Sequence, residues 1–314
     1  MQVLNAYPPE VSQLPFSGVQ NLHDRGADGD PLARRYQAPP GEGPEVQLPR
    51  GDVTEGVVRV GDTVRRPHQP QSLAVAAYLD HLERVGFEGA PRYLGRDEAG
   101  RDVLTFLPGD VPGDPPEAWA AAEDLLVSVG ELVRRLHEAS AGFLAGSGFA
   151  APAGSVWGRD VVPVSLPVPD PAPELVSHCD VTPQNVVVRD GRAWGLVDFD
   201  LAGPCPRLLD LYGTATHWVP LRDPSDVWDS WRGLDPSRRL RLLVDGYGLD
   251  AAGREAIVDL GIQRSHLSWL RMKARAEQLG GGWARMWDEG VGDLILRREA
   301  WLRANRDELT AALL

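Results

Sequence analysis

A change of hydrophobic period near Pro108 divides this sequence into two kinds of structure and narrows the available folds more than any other feature. Before it, Val57, Val58 and Val60, then Gly61-Asp62, then Val64 predict two short strands joined by a tight turn. Between residues 72 and 85, Leu73, Ala76, Ala77, Leu79 and Leu82 recur at helical spacing. Residues 91–94 and 103–107 read as strands separated by a turn at 97–101. After Pro108, residues 117–143 read as one long amphipathic helix with Leu125, Val129, Leu132, Val133 and Leu136 on one face. Residues 237–313 are predominantly helical, with one stripe through Leu240, Leu243, Val244 and Tyr247. Further stripes run through Leu267, Leu270 and Met272 to Leu279, and through Leu294, Trp301, Leu302 and Leu309. The order predicts an α+β chain with a small antiparallel β-rich lobe, residues 49–109, and a large mainly helical lobe, residues 110–314. Pro8, Pro9, Pro15, Pro31, Pro39, Pro40, Pro44 and Pro49 interrupt any periodic pattern at the start, so residues 1–48 are expected to form a flexible Pro/Gly-rich extension. Residues 156–173 are also Pro-rich and carry little regular pattern.

Within the second part, Asp180 stands five residues before Asn185, and the apolar run 186–188 follows. Asp190-Gly191 then predicts a hairpin that returns through Trp194 to Asp198. Phosphoryl transfer calls for this set of groups. A carboxylate must face the acceptor hydroxyl and take its proton as the new bond forms. Hard oxygen ligands must hold the magnesium that bridges the nucleotide phosphates. One short loop can carry the base and an amide ligand, and a hairpin can bring the second carboxylate beside them.

The stretch His178-Cys179-Asp180-Val181-Thr182-Pro183-Gln184-Asn185, followed by Val197-Asp198-Phe199, resembles the catalytic and metal-binding segments of the aminoglycoside phosphotransferase family, relatives of protein kinases and choline kinases. That family reads His-Gly-Asp-x-x-x-x-Asn, then an apolar strand pair, then Ile/Val-Asp-Phe/Trp. The likeness continues through Gly203, Arg207 and Asp210-Leu211. It implies a protein-kinase-like two-lobed fold, with Asp180 as catalytic base and Asn185 and Asp198 as magnesium ligands. Cys179 departs from the family glycine and is expected to be a small buried side chain. His178 is expected to pack and hydrogen-bond, and Asp210 to support the loop from behind.

The same resemblance assigns the nucleotide, ATP or GTP, to the first lobe. Thr54-Glu55-Gly56 is a candidate for the turn over the phosphates, though it is not glycine-rich. Thr63-Val64-Arg65-Arg66 occupies the place of the phosphate-binding cation. Alternation puts Thr63 and Arg65 on one strand face and Val64 and Arg66 on the other. The family pattern favours Arg65, with Arg66 second. Backbone groups of Thr105 and Leu107 would bind the adenine edge. Relatives pair the cation with a glutamate on the next helix, but residues 73–77 contain no acid.

Composition sets the remaining bounds. A net charge of −13 disfavours nucleic acid and anionic membranes as partners, because such binding rests on neutralising phosphates. It leaves room for a cationic acceptor, for which Asp223, Asp226, Asp229 and Glu277 are candidate contacts. Two cysteines are too few for a disulfide framework or a Cys-based zinc site, and a reducing cytoplasm is the expected setting. There is no P-loop motif, and Gly146-Ser147-Gly148 follows a helix pattern, the wrong context for a dinucleotide fingerprint. The expected activity is nucleotide- and magnesium-dependent phosphorylation of a small hydroxylated molecule. The alternatives are a non-catalytic kinase-fold binding or immunity protein, and a peptide or protein kinase.

Overall fold

The computed structural model of the protein describes residues 43–48, 56–144, 156–158 and 171–314. Residues 1–42, the Thr54-Glu55 pair, the glycine pattern at 146–151 and most of the Pro-rich stretch lie outside the described residues.

The first lobe is a five-stranded antiparallel sheet with the order β1-β2-β3-β5-β4. Its strands are β1 (Val46–Gln47), β2 (Val58–Val60), β3 (Thr63–Arg66), β4 (Tyr93–Arg96) and β5 (Asp102–Thr105). The sheet therefore begins inside the segment expected to be an extension, where Val46 pairs with Arg59 and Gln47 with Val58. Helix α1 (Ser72–Arg84) connects β3 to β4 and buries Ala76, Ala77, Leu79 and Leu82. These include four of the five residues whose spacing predicted it.

The second lobe is built on α2 (Glu123–Ala139), which is shorter than the periodicity suggested. Ala122, with ψ 134°, breaks the helix from a 3-10 turn at Ala118–Ala121. Gly142, at φ +85°, turns the chain before Phe143. Glu123 and Asp124 occupy the first turn, where the helix dipole favours negative charge. Two small antiparallel ladders follow, one between β6 (Leu175–Ser177) and β9 (Gly203–Cys205), the other between β7 (Val186–Arg189) and β8 (Arg192–Leu196). The second is the hairpin expected at Asp190-Gly191, both of which have positive φ.

Five further helices complete the lobe: α3 (Arg207–Trp218), α4 (Pro236–Tyr247), α5 (Ala251–Leu279), α6 (Gly281–Asp288) and α7 (Val291–Ala304), with a terminal α8 (Arg306–Leu313). The signals bounding α4 are local. Asp235 accepts hydrogen bonds from the amides of Ser237 and Arg238, Pro236 opens the helix, and Gly248 closes it in the left-handed conformation. Leu240, Leu243, Val244 and Tyr247 are all buried, as the stripe requires.

Helices α2 and α4 approach so closely that each presents a glycine to the other's backbone. A Cβ on Gly130 would overlap the Leu243 carbonyl oxygen, and one on Gly246 would overlap that of Val127. This fixes the helix that supports the loops described below. Gly130→Ala should lower unfolding free energy by about 2 kcal/mol in urea denaturation, because overpacking outweighs the helix propensity gained. A gain in stability would show that α2 can move away from α4.

Candidate active site

The loop after β6 carries the expected base. Cys179 sits at φ +60°, a conformation that costs an ordinary residue about 1 kcal/mol or more and a glycine almost nothing. This explains the family preference for glycine at a position where the chain must turn sharply out of a strand. Asn185, 7 % exposed, directs its amide nitrogen to the Asp180 backbone oxygen (2.9 Å) and to one oxygen of its carboxylate (3.0 Å). The five-residue spacing thus closes the loop on itself, and the amide of Thr182 adds a bond to the same Asp180 backbone oxygen.

Behind the loop stands Asp210, near the start of α3 and 5 % exposed. Its Oδ1 accepts from the Cys179 amide (3.0 Å), and its Oδ2 accepts from the Ser177 hydroxyl (2.8 Å) and pairs with His137 Nε2 (2.9 Å). The other His137 nitrogen pairs with the Tyr247 hydroxyl (2.9 Å), so the loop is tied through α2 to α4. Burial alone would raise the Asp210 pKa, but hydrogen bonds and the field of His137, with help from Ser177, hold it below the usual carboxylate value. On the other side, Trp218 donates its indole N–H to the Val181 carbonyl (2.9 Å).

Asp198 follows the β7–β8 hairpin and has φ +60° and ψ 69°. Two bonds to the Val197 backbone hold its approach: the Val197 amide donates to the Asn185 carbonyl, and the His178 side chain donates through Nε2 to the Val197 carbonyl (2.8 Å). His178 is fully buried and its ring lies 4.5 Å from that of Phe199, so it packs and hydrogen-bonds as expected.

Arg66 reaches this aspartate from the other lobe. Its guanidinium bonds Asp198 Oδ1 (3.3 Å) and also pairs with Asp200. Burial works to lower the Arg66 pKa, but Asp200 and Asp198 overcome it and the net direction is upward. Arg65 lies elsewhere: it is 3 % exposed on the opposite strand face, 3.8 Å from Asp97. The alternation of Arg65 and Arg66 is as expected, but Arg66 is the one that faces the cleft. The counter-charge sought on α1 comes instead from Asp198 and Asp200, and Asp102 stands opposite Arg66 in the β3–β5 register. The face of α1 toward the cleft is Ser72, Val75, Ala76 and Leu79. Asp200 was visible in the sequence as the third residue of Asp-Phe-Asp, but nothing local marked it as the arginine's partner.

Arg66, Asp198, Asp200 and Asn185 open onto a cavity of about 600 Å³ between the lobes, a size suited to a small organic ligand or cofactor; Asp180 is not among its lining residues. Arg66, Asn185 and Asp198 line it, as do Thr105, Phe106 and Leu107, where the chain leaves the sheet. No described residue accepts a hydrogen bond from the Leu107 amide. Gly56 is the one described residue of the predicted phosphate turn and does not line this cavity. The acids proposed to meet a cationic acceptor have protein partners: Asp226 binds Arg297 through two bonds, Asp229 pairs with Arg232, Asp223 caps a turn at Ser225, and Glu277 lies 3.9 Å from Lys273.

Two packed lobes, a glycine-like turn before an aspartate, an amide locked to it and a second aspartate beside a cation define a kinase-like phosphotransferase architecture. Comparison with known proteins agrees. Residues 159–243 match the phosphotransferase enzyme family. The chain is 32% identical over 272 residues to the trifolitoxin immunity protein of Rhizobium leguminosarum bv. trifolii, covering 82% of this chain and 94% of that one. Among solved structures, a choline/ethanolamine kinase family protein from Mesorhizobium loti superposes with a TM-score of 0.53 at 21% identity, over 86% of this chain and 92% of the other. The ADP-bound aminoglycoside phosphotransferase APH(2″)-Ib does so with a TM-score of 0.50 at 10% identity, over 83% and 95%. The chain belongs to the phosphotransferase enzyme family and has its two-lobed α+β kinase-like fold. No helix among the described residues is long and apolar enough to cross a membrane.

Two histidines set a pH dependence. Burial pushes the His178 pKa down, partly offset by its bond to Val197. Burial, with Arg298 and Arg222 adding to it, pushes His217 down to about 3. Both rings therefore stay neutral in the folded protein at pH values where the unfolded chain, with a pKa near 6.5, binds protons. Stability present above about pH 6.5 is lost as pH falls, by about 1.4 kcal/mol per pH unit for each group until its folded pKa is reached. Urea titrations from pH 7.5 to 5 should show this decline, and His217→Gln should flatten it by up to about 1.4 kcal/mol per unit. An unchanged slope would show that His217 protonates in the folded state.

Proposed function

We propose that the protein transfers the terminal phosphoryl group of ATP or GTP to a hydroxyl of a small molecule. The observation that carries this reading is the meeting of Arg66, Asp198 and Asn185 at one cavity, with Asp180 locked to Asn185. In it, Asp180 orients the acceptor hydroxyl and takes its proton as the oxygen–phosphorus bond forms, and the nucleoside diphosphate leaves. Arg66 lies where a guanidinium can bind phosphate oxygens through two donors. The Thr105 carbonyl and the Leu107 amide are the adenine-edge partners. An ADP-bound structural relative supports use of a nucleotide.

Magnesium fits the donors present. Asp198 offers a carboxylate that already attracts a cation, the Arg66 guanidinium, and the side-chain nitrogen of Asn185 is spent on Asp180, which leaves its oxygen as the ligand atom. All are hard oxygen donors of the kind Mg²⁺ prefers. The ion would neutralise charge on the phosphates; orientation of the acceptor and acceptance of its proton remain the work of Asp180.

A second reading, an immunity function by binding alone, is favoured by the similarity to the trifolitoxin immunity protein. Turnover separates the two. With labelled ATP or GTP, magnesium and a panel of hydroxylated metabolites and antibiotics, wild type should transfer phosphate, and Asp180→Ala should lose about 100-fold or more of the rate. Equal transfer by both proteins would exclude Asp180 as the base. Magnesium-dependent thermal stabilisation by nucleotide should vanish in Asp198→Ala and weaken in Arg66→Ala. Nucleotide binding without transfer to any acceptor would favour the binding reading.

A further inference from the structure

The only two cysteines of the chain are 26 residues apart in sequence, yet the fold brings them together beside the carboxylate that holds the Asp180 loop. Cys205 ends β9 opposite Leu175 and is 1 % exposed. Cys179 lies just beyond β6, and its left-handed turn leaves its sulfur 3.6 Å from the Ser177 carbonyl oxygen and 3.7 Å from that of Gly203. The two sulfurs and one Asp210 oxygen all lie within 4.8 Å of one another. Neither cysteine is in a disulfide.

We propose that Cys179, Cys205 and Asp210 form a binding site for one thiophilic divalent cation of the Zn²⁺ or Cd²⁺ class, and that binding loosens the Asp180 loop. Metal–sulfur bonds of about 2.3 Å and metal–oxygen bonds of about 2.0 Å place tetrahedral ligand atoms roughly 3.5–3.8 Å apart. The present cluster needs a contraction of only about 1 Å to reach that arrangement. Two thiolates select soft cations over magnesium, so this site and the oxygen donors at Asp198 take different ions. Cys179 is partly exposed, which gives the ion a way in and leaves a fourth position for water. Binding converts two thiols to thiolates and releases two protons as two metal–sulfur bonds form. It also draws on the Asp210 carboxylate, which otherwise accepts from the Cys179 amide, Ser177 and His137. The cation therefore competes with the bonds that hold the loop.

The test titrates Cd²⁺ into the reduced, metal-free full chain and follows the ultraviolet sulfur-to-cadmium charge-transfer band. One equivalent should saturate the band, with two protons released and affinity rising about 100-fold per pH unit while both thiols are protonated. Cys179→Gly, whose backbone suits glycine, and Cys205→Ala should each abolish the one-to-one band. Absence of the band in folded wild type, or its persistence in either variant, would overturn the site. Hydrogen exchange of the Cys179 amide should quicken when Cd²⁺ binds, and unchanged exchange would overturn the competition for Asp210. Both readouts are independent of phosphate transfer, so they stand or fall separately from the proposed activity.

Discussion

Asp210 is a carboxylate almost without exposed surface, and the arrangement of the cleft depends on it. Taking an ionised group out of water costs several kcal/mol unless its oxygens are fully engaged. Here the backbone amide of Cys179, the hydroxyl of Ser177 and the ring of His137 engage them. The same three bonds join β6, the Asp180 loop, α2 and α3, and Tyr247 extends the chain to α4. Removing one partner from such a pair leaves an uncompensated buried charge, so the loop geometry is held by a penalty as well as by bonds. The tight glycine contact between α2 and α4 keeps His137 and Tyr247 in register for this purpose.

A second electrostatic contact spans the cleft. Arg66 on the sheet and Asp198 and Asp200 on the helical lobe lie more than 130 residues apart in sequence. The cation is mostly buried, so its charge must be matched, and two carboxylates do so at one point. Asp198 stands in a left-handed conformation on the far side of the hairpin, and it retains enough exposure to meet a ligand. The arginine thus joins the sheet lobe to both carboxylates across the cleft.

Parts of this were legible in local pattern. Strands β2 to β5, α1, the hairpin at Asp190-Gly191 and the α4 stripe follow from periodicity and turn chemistry, which act over a few residues. The Asp180–Asn185 pair was legible because both members lie on one short loop. The helix over residues 117–143 was overextended, because apolar spacing runs on through Ala122 although the backbone does not. Strand β9 and helix α3 were not anticipated: β9 contains a proline and is only three residues long, and it is a strand because β6 lies beside it. The sheet's first strand fell within a proline-rich stretch for the same reason.

The sequence by itself determined the two-lobed order, the placing of Asp180 and Asn185 on one loop with Asp198 after the hairpin, and the separation of the neighbouring arginines onto two strand faces. Only the tertiary structure decided that Arg66 faces the cleft, because alternation separates two faces without saying which one the second lobe covers. It alone assigned Asp198 and Asp200 as the counter-charges that α1 lacks, and brought Cys179 against Cys205 and Asp210. Each of these depends on contacts between segments distant along the chain. Such contacts are set by how whole elements pack, and no short window of sequence carries that information.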